Sequence, residues 1–156
     1  MLELIYIAVV WILPACFANA TPVLLGGGAP IDFKKKLKGK RILGDNKTIR
    51  GTLSGIVVGT LTGLAFGKPE LGMLLGMGAI LGDLAGSFLK RRVDIKPGKS
   101  FPLLDQYDFL LGALLFASFL EFPSWETLVI MLIVVPLLHL AANFGAYLLG
   151  LKKVWW

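Results

Sequence analysis

Cysteine is nearly missing from this chain, and the single thiol, Cys16, excludes an internal disulfide and says nothing of the redox compartment. Lying inside the first apolar run, it reads as a buried, inert thiol. Charge is scarce as well. Only 17% of the 156 residues are charged, 56% are hydrophobic and mean hydropathy is +0.75, which excludes a water-soluble domain of this size. A cationic leading segment is also lacking, since the one early charge is Glu3. Ala18-Asn19-Ala20 has the small-x-small look of a cleavage site, yet without that positive segment the first apolar run is expected to stay as a helix. No internal repeat or low-complexity segment stands out.

What remains is an all-α integral membrane pattern. Apolar stretches predict five transmembrane helices over about residues 2–20, 50–67, 70–90, 107–122 and 127–150, in one domain covering 1–156. The second and fourth stretches fall short of the roughly 20 residues that a hydrocarbon core demands, so they must borrow flanking residues or sit in thinned bilayer. The net charge of +6 would point to nucleic acid on a soluble fold, but fifteen of the sixteen Lys and Arg fall in loops 21–49 and 91–106, their flanks and the tail. That bias predicts an outside N-terminus, a cytoplasmic C-terminus and a polar site formed by the cytoplasmic loops. Lys34 to Arg41 reads as attraction to anionic lipid, and Lys152, Lys153, Trp155 and Trp156 as an interfacial anchor. In the third helix Gly72, Gly76, Gly78, Gly82 and Gly86 mark close helix packing.

Polar residues gather toward the cytoplasmic side. Gly44 to Gly51 carries Lys47, Thr48 and Arg50 just before a helix N-terminus, where unpaired N–H groups and the dipole favour phosphate. The Walker A spacing is absent, and an ordinary basic juxtamembrane loop is the alternative. Asp83 lies within the third apolar run, where an ionised carboxylate costs about 2.5 kcal/mol or more, so something must offset it. On a helix, Asp83, Ser87 and Lys90 form a polar stripe leading to the surface; pairing of Asp83 with Lys90 or Arg91 is the structural alternative. Asp105 and Asp108 share a helical face, and with Asp83 they would make a hard oxygen cluster suited to Mg²⁺. Helix capping by Asp105 with a dipole-favoured Asp108 competes with that reading. His139 and Asn143 sit at i and i+4 in the fifth helix, where a lone histidine more often bonds a neighbour than a metal, while Asn19 ends the first helix beside the basic loop.

Ser87-Phe88-Leu89-Lys90-Arg91 followed by Asp105-x-x-Asp108 resembles the signature of the CDP-diacylglycerol synthase family, and the short chain with Gly44 to Gly51 looks most like its archaeal branch, the CDP-archaeol synthases. Departures from the bacterial pattern are a shorter intervening loop, Pro97 where Asp is usual, and no His-Gly-Gly element. The resemblance implies a Mg²⁺-dependent nucleotidyltransferase of membrane phospholipid biosynthesis. Its substrates would be CTP and an isoprenoid-ether glycerol phosphate lipid (unsaturated archaetidic acid), its products CDP-archaeol and pyrophosphate. On that reading Asp83, Asp105 and Asp108 hold Mg²⁺ and act in catalysis with Lys90. Lys47, Thr48 and Arg50 take the triphosphate, Lys90 and Arg91 the lipid phosphate or leaving pyrophosphate, and Asn19, Pro22 and Ser87 line the cavity. No Ser-His-Asp set is needed, because a lipid phosphate is already a nucleophile.

A small membrane transporter or lipid flippase is the rival class, but it predicts inverted repeats or polar groups near the midplane. A non-enzymatic scaffold gives no reason to bear the cost of Asp83, and the Asp-Gly-x-x-Ala-Arg element of CDP-alcohol phosphotransferases is missing. The charge bias makes a topological prediction: a cysteine introduced by Lys38→Cys should react with an impermeant maleimide only from the cytoplasmic face, and labelling from outside would reverse the orientation.

Overall fold

The computed structural model describes residues 2–95, 99, 101 and 103–151. The expected anchor at 152–156, and Pro97 within the family signature, lie outside the described residues. Five helices run in the order α1 (Leu2–Leu25), α2 (Ile49–Ala65), α3 (Pro69–Arg92), α4 (Leu104–Ala117) and α5 (Trp125–Leu148). A two-residue hairpin, β1 (Lys36–Leu37) and β2 (Lys40–Arg41), interrupts the α1–α2 connection, with Lys36 opposite Arg41 and Leu37 opposite Lys40. α1, α3 and α5, each of 24 residues, are long and apolar enough to cross a membrane, whereas α2 has 17 residues and α4 only 14.

Helix ends follow local chemistry. Thr48 caps α2 by accepting the Gly51 N–H (3.1 Å), and Ser124 caps α5 by accepting that of Thr127 (3.3 Å). Pro69 opens α3, where its missing N–H costs nothing, and Lys90, Arg91 and Arg92 close it against the negative end of the dipole. Two helices depart from the sequence expectation by more than two residues. α1 does not stop near residue 20 but continues through Pro22 to Leu25, and α4 begins three residues early and ends five early, before the turn at Ser118 to Leu120.

Glycine decides how the helices meet. In α2, Gly51, Gly55, Gly59 and Gly63 are all buried on one face, while Leu53, Val57 and Leu61 on the other are more than half exposed. A water-soluble helix has the reverse distribution. Small residues inside and large apolar ones outside suit lipid as solvent, where close backbone packing replaces the hydrophobic effect as the association force. A Cβ on Gly63 would lie 2.5 Å from the Gly72 Cα, and one on Gly59 would lie 2.8 Å from that of Gly76. The opposite face of α3 meets α4 as closely: a Cβ on Gly78 or Gly112 would strike the other's carbonyl oxygen, and one on Gly82 the carbonyl of Asp108. α3 is thus wedged between α2 and α4, antiparallel to both, over a core that includes Trp11, Leu75, Ala79, Phe109, Leu110 and Met131.

Prolines inside α1 and α5 contribute further contacts. Pro22 and Pro136 each lack the N–H that would bond the carbonyl four residues earlier. One freed carbonyl, Ala18, packs against Gly55 of α2; the other, Leu132, accepts the Tyr107 hydroxyl of α4 at 3.0 Å. Gly112→Ala should lower stability by about 2 kcal/mol through overpacking, whereas Gly145→Ala, with open space at its Cβ, should change it by no more than about 1 kcal/mol. Thermal unfolding in detergent checks both; equal effects would contradict the α3–α4 approach.

Candidate active site

A cavity of about 790 Å³ opens where the C-terminal ends of α1, α3 and α5, the start of α4 and the loop before α2 converge. Its wall includes Asn19 and Pro22 from α1, Lys47 and Thr48 from the loop, Asp83, Ser87, Lys90 and Arg91 from α3, and Asp105 from α4. Nine of the eleven site residues expected from sequence therefore share one cavity. The other two do not face it. Arg50 is exposed on the first turn of α2, and Asp108, 8% exposed, lies beneath the wall with its carboxylate against Gly86.

Each carboxylate has a particular partner. Asp83 is bonded to the Lys47 ammonium at 2.5 Å, not to Lys90 or Arg91, so the ion pair joins the loop before α2 to the middle of the bundle. Asp105 accepts from Lys90 at 2.6 Å and from the Phe101 N–H at 3.0 Å. It sits in the first turn of α4 and not at the N-cap, which is Leu103. Asp108 accepts the Phe109 N–H at 2.6 Å and lies within electrostatic reach of both Asp83 and Asp105. The expected cluster of three acids is not assembled: two are lysine-paired groups on the cavity wall, the third lies behind it, and among the described residues no three metal-binding side chains form a ready cage.

Arg91 stands apart. It is 7% exposed and lines the cavity, and its Nε and Nη1, both buried, have no hydrogen-bond partner among the described residues. A buried guanidinium with open donors in a concave site is what an incoming anion would complete.

Sequence reasoning overlooked what holds the loop. Asp32, 6% exposed, accepts Arg41 Nη2 at 2.9 Å and Nε at 3.2 Å, and also the N–H groups of Lys34, Leu43 and Gly44. Arg92 donates from Nη1 to the Leu37 carbonyl at 2.9 Å and from Nη2 to that of Arg41, and Lys40 returns a bond to the Arg92 carbonyl at 3.2 Å and an ion pair to Asp94. The hairpin is thereby fastened to the end of α3. Bonds from Ile31 N–H to the Lys47 carbonyl (2.8 Å) and from Ile49 N–H to the Ala29 carbonyl (3.1 Å) close the loop and bring Lys47 to the cavity. The available signal was that Asp32 and Asp45 are the only acids in a loop crowded with lysines. His139 bonds Asn143 at 3.4 Å, as its spacing suggested, and both also line the cavity.

A family model described as CarS-like, CDP-archaeol synthase, matches residues 1–70 and 65–156. This chain belongs to that family. Among its relatives, the CDP-archaeol synthase of Pyrococcus horikoshii is 48% identical, the match covering 94% of each chain. That of Aeropyrum pernix is also 48% identical over 96% of this chain and 91% of its own, and that of Methanocaldococcus jannaschii is 39% identical over 99% and 98%. A solved structure described as an intramembrane enzyme for archaeal membrane lipids biosynthesis superposes with a TM-score of 0.76 at 44% identity, covering 87% of this chain and 92% of that one. The chain is accordingly a multi-pass membrane enzyme.

The donor set can be tested against Mg²⁺. This ion usually takes one or two carboxylates together with substrate phosphate oxygens and water, not a protein cage. Asp83 and Asp105, two hard oxygen donors on a wall with room for a triphosphate, fit that mode of binding.

Outside the membrane, burial pushes the Asp32 carboxyl up, but the Arg41 guanidinium and three backbone N–H groups outweigh it and hold its pKa at about 2, below the ordinary 3.8. A depressed carboxylate adds stability that is present above the unfolded value near 4 and is lost as pH falls toward 2. The shift corresponds to about 2 kcal/mol. Melting measured in detergent from pH 6 to 2 should show this acid loss, and Asp32→Asn should be less stable at neutral pH and lack that component; an unchanged profile would contradict the network.

Proposed function

We propose that this chain transfers the cytidylyl group of CTP to an isoprenoid-ether glycerol phosphate lipid, giving CDP-archaeol and pyrophosphate. The family membership carries the reaction class. The single structural observation that supports it is Arg91, a buried cation with two donors unpaired among the described residues, on the wall of a cavity shared by two lysine–carboxylate pairs. Such a site is built for anions that must be brought together.

In the reaction a lipid phosphate oxygen bonds to the α-phosphorus of CTP as the bond from that phosphorus to the β-phosphate bridging oxygen breaks, with pyrophosphate leaving. No group has to be deprotonated, so the residues act by positioning and by offsetting charge. Lys47, at the loop edge, and the cap at Thr48 face the triphosphate; Lys90 and Arg91, on successive positions of α3, face the lipid phosphate or leaving pyrophosphate. Asn19, Pro22 and Ser87 shape the intervening space, with Asn19 toward the base. Asp83 and Asp105 would hold Mg²⁺, and Asp108, behind them, packs α4 against Gly86. Bound Mg²⁺ supplies neutralisation of phosphate charge at the reacting centre. Arg50, exposed on α2, contributes long-range attraction at most.

All five helices cross the membrane, with the N-terminus outside and the site toward the cytoplasm. Support comes from the antiparallel order of successive helices, from the basic loops at the cavity end, and from the Lys68–Glu121 pair (2.8 Å) joining the two connections at the other end. At about 26 Å and 21 Å, α2 and α4 fall short of the roughly 30 Å hydrocarbon core, which requires local thinning around them.

Purified protein given CTP, Mg²⁺ and the lipid phosphate should release pyrophosphate and form a CDP-lipid; no product would reject the proposal. Asp83→Asn should cut turnover about 100-fold or more and Arg91→Gln about tenfold or more, both with unchanged helix content. Near-normal turnover in either would remove that residue from the site.

A further inference from the structure

Lys47 and Lys90 pair with the two carboxylates that would have to be released before either could bind a metal ion. Both pairs are largely shielded: the side chains are 24% and 23% exposed for Lys47 and Asp83, and 14% and 19% for Lys90 and Asp105. Separating such a pair with nothing in return leaves a poorly solvated charge on each side. A divalent cation arriving alone would have to displace an ammonium from its carboxylate in a cavity that Arg91 also lines. A triphosphate arriving first meets the opposite situation. It offers Arg91, Lys47 and Lys90, which line the same cavity, new anionic partners.

We propose that Lys47 and Lys90 are stand-in cations that make divalent-metal affinity conditional on the nucleotide: they neutralise Asp83 and Asp105 in the empty site and pass to triphosphate oxygens on its entry, freeing both carboxylates. No covalent bond changes: each lysine exchanges a carboxylate for a phosphate oxygen, and the negative charge of the triphosphate offsets the positive charge of the incoming metal ion. The consequence is ordered binding, in which metal alone does not occupy the site. The inference rests on Asp83 and Asp105 as metal ligands, as read above.

The test uses the full chain in detergent with Mn²⁺ as the probe and neither nucleotide nor lipid present, so that no turnover enters the reading. Free Mn²⁺ is followed by its electron paramagnetic resonance signal. Wild type and Lys47→Arg, which keeps the positive charge, should bind Mn²⁺ weakly. Lys47→Gln should bind it roughly tenfold tighter or more, since a competing cation a few ångströms from the carboxylate is gone. Lys90→Gln should do the same through Asp105 and serves if Lys47→Gln does not fold. The gain should vanish in Lys47→Gln combined with Asp83→Asn. Equal Mn²⁺ affinity in wild type and both Gln variants, with turnover lost in Asp83→Asn, overturns the exchange and leaves the metal assignment standing. Equal affinity together with full turnover in Asp83→Asn overturns both.

Discussion

Close approach of α3 to its two neighbours is the constraint from which the rest of the molecule follows. With glycine at Gly72 and Gly76 on one face and at Gly78 and Gly82 on the other, α3 touches α2 and α4 backbone to backbone. Any side chain there would push a helix outward, and lipid gives no hydrophobic effect to pull it back. The same contact sets the polar end of the bundle. Because Gly82 and Gly86 lie against Asp108, the start of α4 is held beside the last turns of α3, and Asp105 reaches Lys90.

Charge inside this bundle is arranged in pairs that cross between elements. Asp83 is the residue whose presence in an apolar helix most needs explaining, and its partner comes from the loop before α2, 36 residues away in sequence. The pairing ties the position of that loop to the interior of the bundle. Asp32 performs the complementary task at the outer end, gathering Arg41 and three backbone N–H groups so that a glycine- and lysine-rich segment holds one shape. Arg91 is the exception to the pairing, a buried cation whose Nε and Nη1 have no partner among the described residues. An enzyme that brings two anions together has reason to keep such a group open.

Proline plays a related part. In both α1 and α5 a proline releases one main-chain carbonyl, and in both cases a neighbouring helix takes up the contact, through Gly55 and through Tyr107. Defects in two helices thus become links between helices, an economy open to membrane segments because no water competes for the freed carbonyl.

Much of this was legible in the chain alone. Hydropathy and the clustering of Lys and Arg determined the membrane setting and the number of helices, because both depend on composition within short windows. The stripe from Asp83 through Ser87 to Lys90 placed three side chains toward one cavity, because helical periodicity fixes the face a side chain occupies. Only the tertiary structure decided that Lys47, and not Lys90, neutralises Asp83, that Asp108 lies behind the cavity while Arg50 lies outside it, and that Asp32 organises the loop. Those outcomes depend on contacts between distant segments, set by how closely glycine lets the helices approach, and no local pattern encodes that distance.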